Sequence, residues 1–440
     1  MPRFPQKKST KLAGNLTAAN LSTFAPLSSI PATLDIAIIG GGAAGFFAAI
    51  TCAEANPACR VTIFERGKAV LEKVRISGGG RCNVTHACYD ARELVKFYPR
   101  GSRELLGPFL QFGPEQTVEW FARRGVRLKT EPDGRMFPVS DDSGTITECL
   151  QQAARRAGVQ VRTGARVEKI EPAPPGGWRL RLGGEERPLL FSKIMVATGS
   201  NTAVWDMLKN LGHTIVEPVP SLFTFNTRDT RLRDLSGVSV ANASVSIPGA
   251  KLSAEGPLLI THWGLSGPGI LRLSAWGARE LHGMNYHFPL EINFLHNITP
   301  QQCLENLRQL KTGQGKKLAA ANAPSGLPLR LWQRLVAAAG IAEERRWADL
   351  DKKSLAALAT QLTAAVFQIA GKSTFKEEFV TAGGVSLKEL NFKTFESKIC
   401  PGLYLAGEVL DIDAITGGFN FQAAWTGGWI AGKAMAGTPV

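Results

Sequence analysis

The sequence predicts an α/β fold: a Rossmann-like domain split in sequence by an inserted β-rich segment and a small helical bundle. Three observations predict it. A strand–glycine–helix–strand–acid unit opens at residue 34, and a short apolar strand leads into a glycine-lined helix at the other end of the chain. Between them the texture turns to short strands and then to helical periodicity.

The opening unit is LDIAIIGGGAAGFFAAITCAEANPACRVTIFER, residues 34–66. Residues 35–39 read as a strand, too short and too β-branched for a helix. Gly40, Gly42 and Gly45 follow as G-x-G-x-x-G, residues 43–55 read as a helix stopped by Asn56-Pro57, and 61–64 form a second strand ending at Glu65. In such a unit the first glycine makes the tight turn, the second lets the backbone approach a pyrophosphate, and the third lets helix pack on strand. The helix N-terminus offers free N–H groups to the phosphates, and the acid accepts from a ribose hydroxyl. A glycine-rich turn that binds nothing is the plain alternative. A membrane span over 36–53 is the other, and the glycines and the acid-capped second strand speak against it.

Residues 73–86, KVRISGGGRCNVTH, read as a loop. Gly78 to Gly80 beside Arg81 and Asn83 are suited to close approach to an anion or a flat ring, a plain surface loop being the alternative. Residues 90–155 read as helices and connections with a turn at PDGRMFP (132–138). From 159 short strands form a meander that returns to a buried strand at 193–197. Ala197-Thr198-Gly199 ends it with small residues, either for a dinucleotide or as a mere turn.

Residues 213–296 alternate as in an antiparallel barrel or sandwich. Inside lies EGPLLITHWGLSGPGILRLS (255–274), where His262 is either a general acid/base or a structural histidine. Residues 299–367 carry apolar residues at helical spacing, a small bundle with a basic solvated face. Then VTAGGVSL (380–387) reads as a glycine turn, 402–406 as a buried strand followed by Gly407-Glu408, and 413–420 as a loop with Gly417-Gly418. A last helix covers 421–436; its glycines, Asn420, Gln422 and threonines argue against a membrane span.

No second G-x-G-x-x-G follows a strand, so one dinucleotide has a dedicated domain. A nicotinamide donor would visit without a fold of its own. At 440 residues two or three domains are expected. The predicted divisions are a basic tail at 1–33, a first cofactor half at 34–205 and a β domain at 206–298 with 366–385. A helical insert at 299–365 and a second cofactor half at 386–440 complete them. The formal charge of +14 favours anionic ligands without choosing among them. Seven cysteines, odd in number and without C-x-x-C, indicate neither a disulfide framework nor a zinc site. That fits a reducing, cytoplasmic setting. Residues 1–33 are basic and acid-free, a disordered tail or a transit peptide but no secretory signal.

Five motifs in order, DIAIIGGGAAG, ISGGGRCNVTH, THWGLSGPGILRLS, VTAGGVSLKELNFKTFESK and GLYLAGEVLDIDAITGGFNFQAAWTGGWIAG, resemble the BaiN/YhiN-like FAD-dependent flavoproteins over residues 34–436. That family includes a reductase of unsaturated bile-acid intermediates and oxidases of aminoacetone-like amines. The resemblance implies a FAD domain split by a β-barrel and a helical bundle. It implies that Gly40, Gly42, Gly45 and Glu65 hold the ADP half and that Val167 meets the adenine. Arg81 would lie near the pyrophosphate or flavin, and Glu408 would bond the ribityl chain. Gly418, Phe419 and Asn420 would face the isoalloxazine. Ala44, Arg66, Gly80, Gly199 and Gly407 join these as expected cofactor contacts. Residues 1–33 lie outside the resemblance.

The expected activity is a FAD-dependent oxidoreductase acting on a small molecule, with NAD(P)H as a transient donor. The cofactor carries the electrons and the protein supplies orientation and charge. His262, Arg81 and Cys82 are the substrate-side candidates, although Cys82 also reads as a small packing residue. No metal cluster is expected, and nucleic acid is not expected as a partner. The basic charge keeps a flavin-dependent nucleic-acid-modifying enzyme as an alternative, and a non-catalytic flavin binder is another. No oligomeric state can be read.

Overall fold

The computed structural model describes residues 34–321, 323, 326–373 and 380–438, so the basic N-terminal segment lies outside the described residues. Leu34–Ile39 (β1), Ala43–Ala55 (α1) and Cys59–Phe64 (β2) form the expected βαβ unit, with β1 and β2 parallel and in register from Leu34↔Cys59 to Ile39↔Phe64. β1 also pairs in parallel with Lys193–Val196, which pairs in parallel with Leu403–Leu405; Gln160–Arg162 extends the other edge beside β2. Strands from both ends of the chain therefore share one sheet. Ile36, Ile38 and Ile63 are fully buried in it, as expected for a parallel sheet covered on both faces.

The helix Phe419–Met435 closes this domain by packing on α1 backbone to backbone. A Cβ at Gly428 would lie 2.6 Å from the Ala44 carbonyl oxygen, and one at Gly432 2.6 Å from that of Ala48. The glycines of this apolar helix thus serve close packing, and among the described residues no helix is long and apolar enough to cross a membrane.

A second hydrophobic core, including Phe225, Leu258, Ile292 and Phe367 with Trp332 and Trp347, lies in the insert. Its sheet runs in the order Ala365–Ala370, His287–Asn293, Ser239–Ser246, Ser253–Ile260, Gly264–Ser266, Thr224–Asn226, Lys372–Ser373. The helices Pro300–Gly313, Leu329–Ala338 and Lys352–Thr363 follow the helical periodicity of the sequence.

Four expectations need correction. Among the described residues the insert's sheet does not close as a barrel. Only the two-residue strand Lys372–Ser373, beyond the bend at Gly371 (φ 111°), carries the chain from one edge of the order to the other. Within 255–274, Pro268–Trp276 is a helix, started by Pro268 in the first turn where a missing N–H costs nothing. Residues 380–385 form the strand Val380–Val385 instead of a turn, paired with Ile215–Ser221. Its Gly383 and Gly384 admit the backbone of Glu217–Pro218 and Val409–Leu410, where a Cβ would come within 2.7 Å. Residues 72–76 are helical, and the chain leaves the helix only at Ser77 (ψ 150°) and the left-handed Gly78 and Gly79.

Candidate cofactor site

The glycine turn after β1 is shaped by what surrounds each position. A Cβ at Gly40 (φ 111°) would lie 2.4 Å from the Ala197 carbonyl oxygen, and one at Gly45 2.0 Å from that of Gly40. Gly42 differs: a Cβ there would meet only the Ala197 oxygen, at 4.0 Å. Gly42 also caps α1 with no side chain bonded to the first amides, so the open side of the turn is the helix N-terminus. Ala44 packs against Gly407, where a Cβ would lie 3.3 Å from its methyl group. Glu65, at the end of β2, accepts from the Gly41 amide (2.8 Å) and the Gly67 amide (2.7 Å), which fixes its carboxylate beside the turn. Arg66 is exposed, and Val167 is buried on the strand Val167–Pro172.

A second group of residues meets at the ends of the neighbouring strands. Lys73 Nζ pairs with Glu408 Oε2 at 2.6 Å, and a Cβ on Gly199 would lie 3.6 Å from that oxygen and 3.9 Å from Nζ. The amide of Thr381 donates to Glu408 Oε1 at 3.4 Å. The Leu71 amide donates to the Gly41 carbonyl at 2.8 Å, which brings the segment carrying Lys73 onto the glycine turn. Two buried hydroxyls beside this group, Thr198 Oγ1 and Thr381 Oγ1, have no hydrogen-bond partner among the described residues. Buried polar atoms ordinarily find one.

The two other glycine segments come together. With the Asn83 amide oriented to satisfy both neighbours, its oxygen accepts from the Gly418 amide (3.0 Å) and its nitrogen donates to the Thr85 carbonyl (3.1 Å). Gly418 must be glycine, since a Cβ would lie 2.5 Å from the Thr85 carbonyl oxygen, whereas Gly79 and Gly80 face open space. A buried network supports the junction: Thr85 and Thr117 hydroxyls donate to Gln422 Oε1 (2.6 and 3.0 Å), and Gln422 Nε2 donates to Thr426 Oγ1 (3.0 Å). Gln422 itself looks like one polar residue among apolar ones in the sequence, and only the fold reveals its partners.

Two expected ring contacts differ in their side chains. Phe419 is buried and stacks on both His86 (4.7 Å) and Phe97 (4.4 Å), which also touch each other (5.8 Å), so its ring belongs to the core. Asn420 holds the preceding loop, accepting from the Ala414 amide (2.9 Å) and donating to the Ala414 carbonyl (3.1 Å). His86 Nε2 lies 3.1 Å from the Asp133 carbonyl, while its buried Nδ1 has no partner among the described residues.

The three substrate-side candidates are not gathered into one constellation. The Arg81 guanidinium pairs with Glu131 (2.7 Å) and Asp141 (3.6 Å) and lies 4.0 Å over the Phe137 ring. Cys82 is fully buried, and burial pushes its thiol up to about 12, which favours packing over thiolate chemistry at neutral pH. His262 is exposed on the insert, lining an open cavity of about 740 Å³ with Asn226, Arg228, Trp263 and Gln368; none of the residues around Glu408 lines it. Among the described residues no group of histidines, cysteines and acids could hold a metal ion.

The model of the HI0933-like protein Rossmann domain matches residues 34–434 of the chain. The chain belongs to this family. That bears out the FAD-dependent oxidoreductase family expected from the five motifs. Among curated relatives, the 3-dehydro-bile acid delta(4,6)-reductase of Clostridium scindens is 30% identical, with 92% of this chain and 99% of the relative covered. A ribosomal RNA dihydrouridine synthase of Escherichia coli K12 is 28% identical over 90% of this chain and 96% of its own length. Among solved structures, 3-ketosteroid-delta4-(5alpha)-dehydrogenase from Rhodococcus jostii RHA1 shares the fold at a TM-score of 0.50 and 16% identity. That likeness covers 92% of this chain and 96% of the other.

Proposed function

We propose that this HI0933-like protein reduces a carbon–carbon double bond conjugated to a carbonyl, with FAD as its cofactor and NAD(P)H as donor. The observation that carries the FAD reading is the convergence of the glycine turn, Glu65, Gly199 and Glu408 at the carboxyl ends of one parallel sheet, with the glycine segments 78–85 and 417–418 paired with each other. Ligands bind there in open α/β folds. The residues fit FAD: Gly42, Gly79 and Gly80 are open where a Cβ would obstruct, and buried Thr198 and Thr381 hydroxyls await a partner. Gly40 and Gly45 would shape the turn, Glu65 would accept from the adenosine ribose, Val167 would border the adenine, and Glu408 would accept from the ribityl chain. When bound, the flavin supplies two-electron transfer between donor and substrate. The N-terminus of the Phe419–Met435 helix would stabilise negative charge at the ring.

The names of both curated relatives support the reaction class. A delta(4,6)-reductase of a 3-dehydro compound and a dihydrouridine synthase each describe saturation of a double bond conjugated to a carbonyl. The first reading is a small conjugated ketone as substrate. The second, the same reaction on uridine in RNA, rests on the name of the Escherichia coli relative, and the +14 charge is compatible with it.

The test is anaerobic addition of NADH or NADPH to the purified yellow protein, then of conjugated ketones. Bleaching of the flavin bands followed by their return on adding an enone is expected. A yellow protein that neither nucleotide bleaches would sink the reductase reading. Turnover confined to RNA, weakening steeply with salt, would select the second substrate.

A further inference from the structure

We propose that Lys73 is the positioning cation of the cofactor site: it supplies the countercharge to a dinucleotide's pyrophosphate and holds Glu408 for the polyol beside it. The inference rests on the FAD reading above and adds a residue that reading leaves without a role. Four segments fix the place. The Leu71 amide bonds the Gly41 carbonyl, and Val70 packs so closely that a Cβ on Gly41 would lie 2.8 Å from its methyl carbon. Lys73 therefore stands two residues from a contact with the glycine turn itself. From the opposite end of the chain, Glu408 meets it at 2.6 Å, and the Gly199 turn points at both.

The charge balance needs such a group. A pyrophosphate brings two negative charges to a place already holding Glu65 and Glu408. Both Glu65 oxygens accept from backbone amides, so that carboxylate remains an acceptor. Arg81, beside Gly78 to Gly80, is engaged by Glu131 and Asp141. The amides at the start of α1 contribute partial charge only. Lys73, 59% exposed, has a flexible stem and three donors, so it can bond Glu408 and a phosphate oxygen at once. Its loss would leave Glu408 facing the phosphates uncompensated.

The experiment is FAD binding to protein stripped of cofactor, followed by flavin fluorescence, in wild type, Lys73→Gln and Lys73→Arg, with salt varied. Lys73→Gln is expected to weaken FAD by roughly 10- to 100-fold, as for loss of a charge-assisted hydrogen bond, and to flatten the salt dependence. Lys73→Arg should recover most of the affinity. Riboflavin, which keeps the ribityl chain but has no pyrophosphate, should lose clearly less affinity than FAD in Lys73→Gln. Because Lys73 is exposed, thermal melts of the cofactor-free variants should match wild type. Equal FAD affinity in Lys73→Gln and wild type would overturn the assignment while leaving the FAD reading intact. An equal loss of riboflavin would also overturn it, making Lys73 a general structural support. Wild type that takes up no FAD would remove both.

Discussion

Arg100 and Asp413 form a buried bidentate ion pair that joins three parts of the chain. Arg100 precedes the helix Ser102–Gln111, Asp413 lies in the loop before Gly417, and the insert completes the site. Ser221 Oγ donates to Asp413 Oδ2 (2.7 Å), and Arg100 Nη2 donates to the Ala275 carbonyl (2.9 Å). Burial pushes the Asp413 carboxyl up and the guanidinium opposes that shift; ionised together, the two charges satisfy each other.

Removing one partner strands the other. Asp413→Asn is expected to cost about 3–5 kcal/mol in chemical denaturation, because Arg100 then keeps a buried charge without a counterion. Replacing both, Arg100→Met with Asp413→Leu, should cost less than the two single changes added together. Additive losses would mean that the pair is not coupled.

Gly428→Ala places a methyl group 2.6 Å from the Ala44 carbonyl, so the closing helix must move off α1. A loss of about 1–3 kcal/mol is expected, with lower FAD content per purified chain. The matched control is Gly313→Ala at the exposed end of the helix Pro300–Gly313, where a Cβ meets nothing within 4 Å. There helix propensity alone should leave stability unchanged or raised by about 0.5–1 kcal/mol.

Burial lowers the His86 imidazole below its ordinary value, partly offset by the Asp133 carbonyl. A base depressed in the folded state is protonated first in the unfolded chain. Its stabilising contribution is therefore present above about pH 6.5 and is lost as pH falls through the depressed folded value. Melting of the cofactor-free protein between pH 7 and 5 should fall more steeply in wild type than in His86→Phe, which keeps a ring on Phe419. Parallel curves would contradict this.

Cys82→Ala should leave the rate of flavin bleaching by NAD(P)H unchanged, since a thiol raised to about 12 supplies no thiolate at neutral pH. Loss of bleaching without loss of bound FAD would restore Cys82 to the chemistry.

The βαβ unit was legible because its signal is local: strand, glycine spacing, helix and acid all fall within 34–66, and the predicted helix 43–55 has the observed bounds. The insert's strands and helices were legible as textures, but its sheet order was not, since pairing joins segments such as 224–226 and 372–373 that share no pattern. At the site, glycines announced a close approach without naming the neighbour. Gly418 and Gly80 look alike in sequence, yet one is pressed against Thr85 and the other is open. Phe419 and Asn420 sit at the expected place, but their side chains serve the core and the preceding loop. Lys73 escaped notice because a lysine in a short helical turn is ordinary until Glu408 is brought to it from the other end of the chain.

The closure of the first domain by the last helix sets an order of events during synthesis. Asn56 donates to the Ala436 carbonyl across 380 residues, and α1 packs beneath a helix made that much later. At ribosomal rates of about 5–20 residues per second, the uncharged face of α1 waits roughly 20 to 75 seconds for its cover. The insert carries its own core and can condense in that interval. The covering face of α1 thus stays without its final partner until the last turns of the chain emerge, however early the insert condenses.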